Sequence, residues 1–267
     1  MRTSLLLALL AVSGAALAED LAGLRQRGLA DDTAYQLVES LTTEVGQRLA
    51  GSPADARAVA WAIARFKALG FDRVYTEPVR YPVWERGVES CEVLAPFPQQ
   101  LAITALGGSR GTSEGGVSGE LVAFADLAAL RAAQPGSAQG KIVFIRKRMQ
   151  RHKTGSGYAE AVGARVEGAS AAARIGAVAL LIRSIGTDEG TRSAHTGVMR
   201  YTDPAHAIPA AALANVDADL LLDMLKRGKP VQVKLTLGAK TQLDPLYAAL
   251  GPLGIERGST LFRRLVS

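Results

Sequence analysis

The stretch KIVFIRKRMQRHKTGSGYAEAVGARVEGASAAARIGAVALLIRS, residues 141–184, decides the fold class. It opens on an apolar run at Lys141–Lys147 and closes on another at Ala177–Ser184. The second run lacks polar alternation, which marks a strand covered on both faces and paired in parallel. Between them, residues 157–175 are rich in Ala and Gly and predict a helix whose small side chains let it lie close on a sheet. Upstream, GELVAF (Gly119–Phe124) reads as a strand and Leu127–Ala133 as a short helix. Downstream, Asn215 is expected to cap a long helix with Asp217 and Asp219 in its first turn and Lys226 and Arg227 at its end. Val231–Leu237 alternates as a half-exposed strand does. Strands interleaved with helices predict an α/β architecture for the middle of the chain.

The N-terminal third has a different character. Ala34, Leu37, Val38, Leu41 and Val45 recur at helical spacing behind Asp31 and Asp32. A second helix follows, with Ser52 as cap, Pro53 in the first turn and Asp55 completing a Ser-x-x-Asp capping box. Val59, Ile63, Phe66 and Leu69 share one of its faces, and Gly70 supplies the stop. Val74–Val83, interrupted by Pro78 and Pro82, reads as a bent edge strand. The composition shifts at Ala95-Pro96-Phe97-Pro98, ahead of the Gly/Ser-rich loop LGGSRGTSEGGVSG (residues 106–119). From Thr241 the chain shows no period and is expected to be an irregular tail.

The first residues carry an address. Arg2, the apolar run Leu5–Val12 and the small-residue pattern Ala16-Leu17-Ala18 form a secretory leader, too short to span a bilayer. A secreted or periplasmic protein with no membrane attachment after leader removal is expected. Lys and Arg number 31 against 25 Asp and Glu, a net charge of +6, and much of the excess sits in residues 146–153. No aromatic side chain separates those cations, so they predict a solvated loop and exclude a nucleic-acid surface. Cys91 is the single cysteine, which rules out an intramolecular disulfide and a thiolate metal cage and favours a buried bystander.

Catalytic motifs are few. Gly111-Thr112-Ser113-Glu114-Gly115 matches G-x-S-x-G, but the pattern works only where a strand feeds the serine into a sharp turn before a helix. No helix follows here, so Ser113 remains a distant serine-hydrolase alternative. The histidines are His152, His195 and His206, with no H-E-x-x-H among them. His195 and His206 lie in RSAHTGVMRYTDPAHAIPA, where Asp203 could complete a two-histidine metal site; solvation or local hydrogen bonding is the favoured reading. There is no P-loop and no dinucleotide fingerprint. The residues alone describe a secreted α/β protein without a recognisable active site.

The order of segments adds a resemblance. EVGQRLAGSP (residues 44–53), a helix ending in ALGF, YTEPVRYPVWERGVES, the LGGSRGT loop and GKIVFI together resemble the secreted zinc exopeptidases of the carboxypeptidase Q and bacterial aminopeptidase group, nearest the carboxypeptidase Q branch. GASAAARIGAVALLIRS with AHTGVMRY and IPAAAL resembles the protease-associated domain inserted in those enzymes. The implied organisation is a leader at 1–18, an incomplete N-terminal α/β segment of the exopeptidase at 19–95, the protease-associated domain at 96–238 and a tail at 239–267. It implies peptide hydrolysis by two zinc ions, held by His, Asp, Glu, a further acid and His from beyond the insertion. Here no His follows His206, so no catalytic residue and no metal ligand transfers to this chain, and no cofactor is expected in it. The expectation is a truncated or non-catalytic relative; the alternative is a module that binds peptide or protein through the loops Gly107–Gly116 and Arg192–His206. Ser109, Arg110, His195, Arg200 and His206 are the candidate binding residues. The sequence carries no signal for an oligomeric state.

Overall fold

The computed structural model describes residues 21–77, 80–188, 190–245 and 249–250; the leader and most of the expected tail lie outside them. The described residues fall into two compact units, one within residues up to Tyr81 together with those from Pro245 onward, the other Pro82–Asp244. The first unit is mainly helical, with α1 (residues 21–30), α2 (Thr33–Ser40) running into a π-turn at Leu41–Val45, and α3 (Pro53–Ala68). The expected capping box of α3 forms in part: the Ser52 N–H donates to Leu49 O at 3.0 Å, and the Asp55 side chain reaches the residue before the cap instead. Ser52 Oγ accepts from the Asp55 N–H at 3.2 Å, and Asp55 Oδ2 accepts from the Gly51 N–H at 2.9 Å. Trp61 Nε1 and Arg65 both donate to Ser40 Oγ, tying α3 to α2. The apolar faces expected of these helices are only partly covered. Among the described residues of this unit only Val45, Ala54 and Ala62 are buried, while Leu21, Leu24, Tyr35 and Val38 are exposed. β1 (Thr76–Glu77) pairs antiparallel with β12 (Ala249–Leu250).

The second unit is built on an eight-stranded mixed sheet. Its parallel centre is β6 (Val117–Phe124), β7 (Ile142–Ile145), β8 (Ala179–Arg183) and β9 (Ala210–Leu213), with Phe144 beside Leu181 and Leu181 beside Ala211. Antiparallel strands extend it on both sides. β10 (Gln232–Leu237), β3 (Glu89–Ala95) and β4 (Gln99–Leu101) follow from β6, and β5 (Ile103–Ala105) follows from β9. The sheet curls until β3 and β5 approach, and Glu89 Oε2 accepts from the Ala105 N–H at 2.7 Å across the gap. β2 (Arg80–Glu85) pairs with β11 (Lys240–Pro245).

Helices α4 (Leu127–Ala132) and α5 (Ser156–Arg174) cover one face, α6 (Asn215–Lys226) the other. The two faces divide the strands by alternation. Ile142, Phe144, Ala179 and Leu181 pack with Leu221 of α6, and Val143, Ile145, Leu180 and Ile182 with Ala169 and Ala172 of α5. The small residues of α5 serve the close approach foreseen for them. A Cβ on Gly168 would sit 3.0 Å from Leu180 and 3.1 Å from Ile145.

Several sequence expectations are corrected. Lys240–Pro245 is a strand rather than the start of an irregular tail, because β2 supplies it a partner. Asn215 is not the cap of α6: Ala214 takes that position, and the Asn215 amide donates instead to the Asp188 carbonyl at 3.1 Å. Glu89–Ala95, read on the N-terminal side of the boundary at 95/96, is hydrogen-bonded into the large sheet with Cys91 and Val93 buried.

Candidate functional site

The two loops singled out in the sequence meet. Gly107 bridges to Val198, its N–H donating to Gly197 O at 2.9 Å while Met199 N–H donates back to Gly107 O at 2.9 Å. A Cβ on Gly197 would lie 2.6 Å from Cζ of Arg165, so any larger residue there would require the guanidinium, which lies over Tyr158, to shift. Beyond this bridge lies a groove of about 520 Å³, lined by Arg110–Ser113, Gly116 and Val117 from one loop and by His206–Pro209 from the other. Ala173, Gly176, Ala177, Val178 and Gln139 complete its lining.

Ser109 is not a surface binding residue. It is 1% exposed, accepts from the Ala210 N–H at 2.8 Å and donates to the Arg110 carbonyl at 2.9 Å. Arg110 is held from the other side as well. Its N–H donates to Tyr201 Oη at 2.9 Å, and that hydroxyl donates to Ile208 O at 2.6 Å. Burial pushes the Tyr201 phenol above its usual range, so it remains a neutral donor. The loop is then stapled to β10, with Thr112 N–H donating to Leu237 O and Leu237 N–H to Thr112 Oγ1. Ser113 is exposed in a turn and donates to Gly116 O at 3.1 Å. It has neither the strand before it nor the helix after it that a nucleophile elbow requires.

The two histidines take separate, local partners. His195 Nε2 lies 2.9 Å from Asp188 Oδ1, and His206 Nδ1 lies 2.6 Å from Asp203 Oδ2. Burial alone would raise Asp188, but hydrogen bonds from Thr191 and His195 hold it below the usual carboxylate range. Asp203 is lowered chiefly by its bond to His206. Arg200 is exposed and contributes its N–H to Val166 O at 3.1 Å. Of the five candidates, the structure brings Arg110 and His206 to the groove and Ser109 behind it, and leaves His195 with Asp188.

Two residues missed in the sequence shape this site: Tyr201, which pins Arg110, and Gly111. A Cβ on Gly111 would lie 2.4 Å from Ala239 O and 3.0 Å from Leu237 O, so only glycine lets the loop lie on the end of β10 and the connection that follows it. Deeper in the unit, Arg183 is buried against Asp219 at 2.5 Å, and Arg148 bonds the same carboxylate at 2.6 Å.

Zinc, implied by the resemblance, does not fit the described residues. A catalytic zinc requires three protein ligands converging with an open position, and no group of three His, Cys, Asp or Glu side chains converges among them. Cys91 is 1% exposed and its thiol is pushed up to about 12 by burial, which withholds the thiolate a metal would need.

No family model matches the chain. Individual relatives do. Carboxypeptidase Q of Xenopus laevis is 36% identical over 227 residues, 85% of this chain and 47% of the relative. The human carboxypeptidase Q is 34% identical over 217 residues, 81% of this chain and 44% of the relative. Thus the chain spans just under half the length of these curated relatives. The crystal structure of a peptidase M28 precursor from Shewanella amazonensis SB2B superposes with a TM-score of 0.76 at 52% identity, over 81% of this chain and 49% of that one. A zinc aminopeptidase from Bacillus subtilis shares the fold, with a TM-score of 0.52 at 20% identity over 78% of this chain and 44% of that one. Over the stretch that it spans, the chain belongs to the carboxypeptidase Q and M28 family of exopeptidases.

Proposed function

We propose that these residues are the N-terminal part of a secreted or periplasmic zinc exopeptidase of this family. Residues up to 81 belong to the opening of the peptidase domain, and 82–244, which include β3 and most of β11, to a protease-associated domain inserted in it. On this reading, the polypeptide as it stands does not hydrolyse peptides, and the zinc ligands belong to a part of the fold that it does not supply. The carrying observation is the match to carboxypeptidase Q, which takes in 85% of this chain but 47% of the relative. It is supported by the segregation of both loop histidines into local pairs with Asp188 and Asp203.

A second reading is favoured by one observation. The loops Gly107–Gly116 and Arg192–His206 are hydrogen-bonded together and their continuations wall one groove. That arrangement suits a module that binds a peptide or protein without catalysis, and the two readings are compatible within a larger enzyme.

The test is hydrolysis of unprotected dipeptides by the purified chain with added zinc. No turnover above a heat-treated control is expected. Chelator-sensitive turnover would place the catalytic residues inside this polypeptide and overturn the proposal.

A further inference from the structure

The groove contains a contrast that indicates its ligand. Both backbone groups of Arg110 are fixed by side chains: its N–H by Tyr201 Oη and its carbonyl by Ser109 Oγ. Ser109 and Tyr201 in turn bond Ala210 and Ile208, so the same polar pair ties one wall of the groove to the other. Two partly or fully buried hydroxyls are thereby committed to the position of one exposed residue. Yet the Arg110 guanidinium has no ion pair or hydrogen bond among the described residues, and no carboxylate stands among the residues that line the groove. The remaining ionisable side chain at the rim, His206, is already held by Asp203. Val117, Ala177, Val178, Ile208 and Pro209 supply the apolar part of the lining, beside the polar Thr112, Ser113 and Gln139.

A cation on a fixed backbone beside apolar lining, with no carboxylate among the residues that line the groove, complements an anion attached to an apolar body. Arginine forms two parallel hydrogen bonds to a carboxylate, which makes it a directional receptor for one. A cavity of about 520 Å³ accommodates a short peptide segment rather than a free ion. We infer that this groove receives the carboxy-terminus of a peptide, its carboxylate on Arg110 and its last apolar side chain on Val178 and Ile208. The inference rests on the peptide-binding reading given above and names the chemical class it recognises. Fixing the Arg110 backbone through Ser109 and Tyr201 lowers the part of the ordering cost that the loop would otherwise bear, so Tyr201 is a positioning residue and Arg110 the contact.

Fluorescence anisotropy with fluorescein-Gly-Gly-Ala-Leu, bearing either a free or an amidated carboxy-terminus, tests it on the full chain. The free acid is expected to bind at least tenfold more tightly than the amide. Arg110→Met should remove that preference, leaving both peptides at the amide's level. Tyr201→Phe should weaken the free acid without changing the amide. Equal binding of acid and amide, unchanged in Arg110→Met, would overturn the carboxylate assignment while leaving the module a peptide binder. Absence of binding for both peptides would remove the assignment together with the reading beneath it. Because Arg110 is exposed, its substitution leaves the fold intact, and circular dichroism of each variant confirms that.

Discussion

Ser109→Ala separates a structural hydroxyl from a binding one. The wild-type Oγ satisfies the Ala210 N–H, on a strand residue that is wholly buried, and donates to the Arg110 carbonyl. Alanine removes both bonds and leaves the buried Ala210 N–H without its partner. An orphaned buried donor costs about 1–3 kcal/mol and a lost neutral hydrogen bond about 1 kcal/mol. The sum is about 2–4 kcal/mol of unfolding free energy. At about 2–4 °C per kcal/mol for a domain of this size, the midpoint falls by roughly 4–16 °C. Trp84 is a local reporter, since its Nε1 donates to the Ser109 carbonyl at 2.9 Å. Urea titrations followed by Trp84 emission, in a Trp61→Phe background shared by all variants, read the change. Ser113→Ala, in an exposed turn, is the control and should stay within about 0.5 kcal/mol. A Ser109→Ala loss below about 0.5 kcal/mol would refute the structural assignment and return Ser109 to the surface of the site.

Three further outcomes follow from the same geometry. Gly136→Ala should cost about 1–2 kcal/mol, since φ is +78° in open space, whereas Gly87→Ala should cost distinctly more because its Cβ would lie 2.3 Å from Gly238 O; urea titration ranks the two. Asp219→Asn should cost about 1–3 kcal/mol, because Arg183 is buried while the half-exposed partner lets solvent screen part of the loss. Burial alone would raise Asp219, but Arg183 and Arg148 hold it below its usual range. Its contribution is therefore present above the unfolded carboxylate value near about 3.9 and is lost as pH falls through the folded one. The gap between wild type and Asp219→Asn should close in that acid window when stability is measured against pH. Cys91, pushed up to about 12 by burial, should resist an aromatic disulfide reagent at neutral pH in the folded protein and react fully in urea; stoichiometric native labelling would contradict its placement.

What the sequence disclosed and what it withheld have physical causes. Residues 142–145 and 179–183 were legible because strands buried on both faces must be continuously apolar, and α5 because its small residues keep helical spacing. β9 was not, since Ala210-Ala211-Ala212-Leu213 has little β-propensity; the strand exists because small side chains fit between sheet neighbours and two helical layers. Asn215 reads as a cap, yet burial beside Asp188 gives its amide a tertiary partner that local rules cannot show. Ser109 sits in a stretch whose composition suggests an exposed loop. The Ala210 N–H that claims it is 101 residues away, beyond the reach of any local pattern. Arg110 and His206 were legible as candidates because the loops are polar; that they share one groove depends on the Gly107–Val198 bridge. The local pairing of His195 and His206 follows from aspartates seven and three residues away.

The central claim, that the metal ligands lie outside this polypeptide, is tested most directly by zinc stoichiometry. Native mass spectrometry of the purified chain, equilibrated with zinc and dialysed against zinc-free buffer, should show the metal-free mass. Two zinc ions retained per chain, and removed by a chelator, would contradict it.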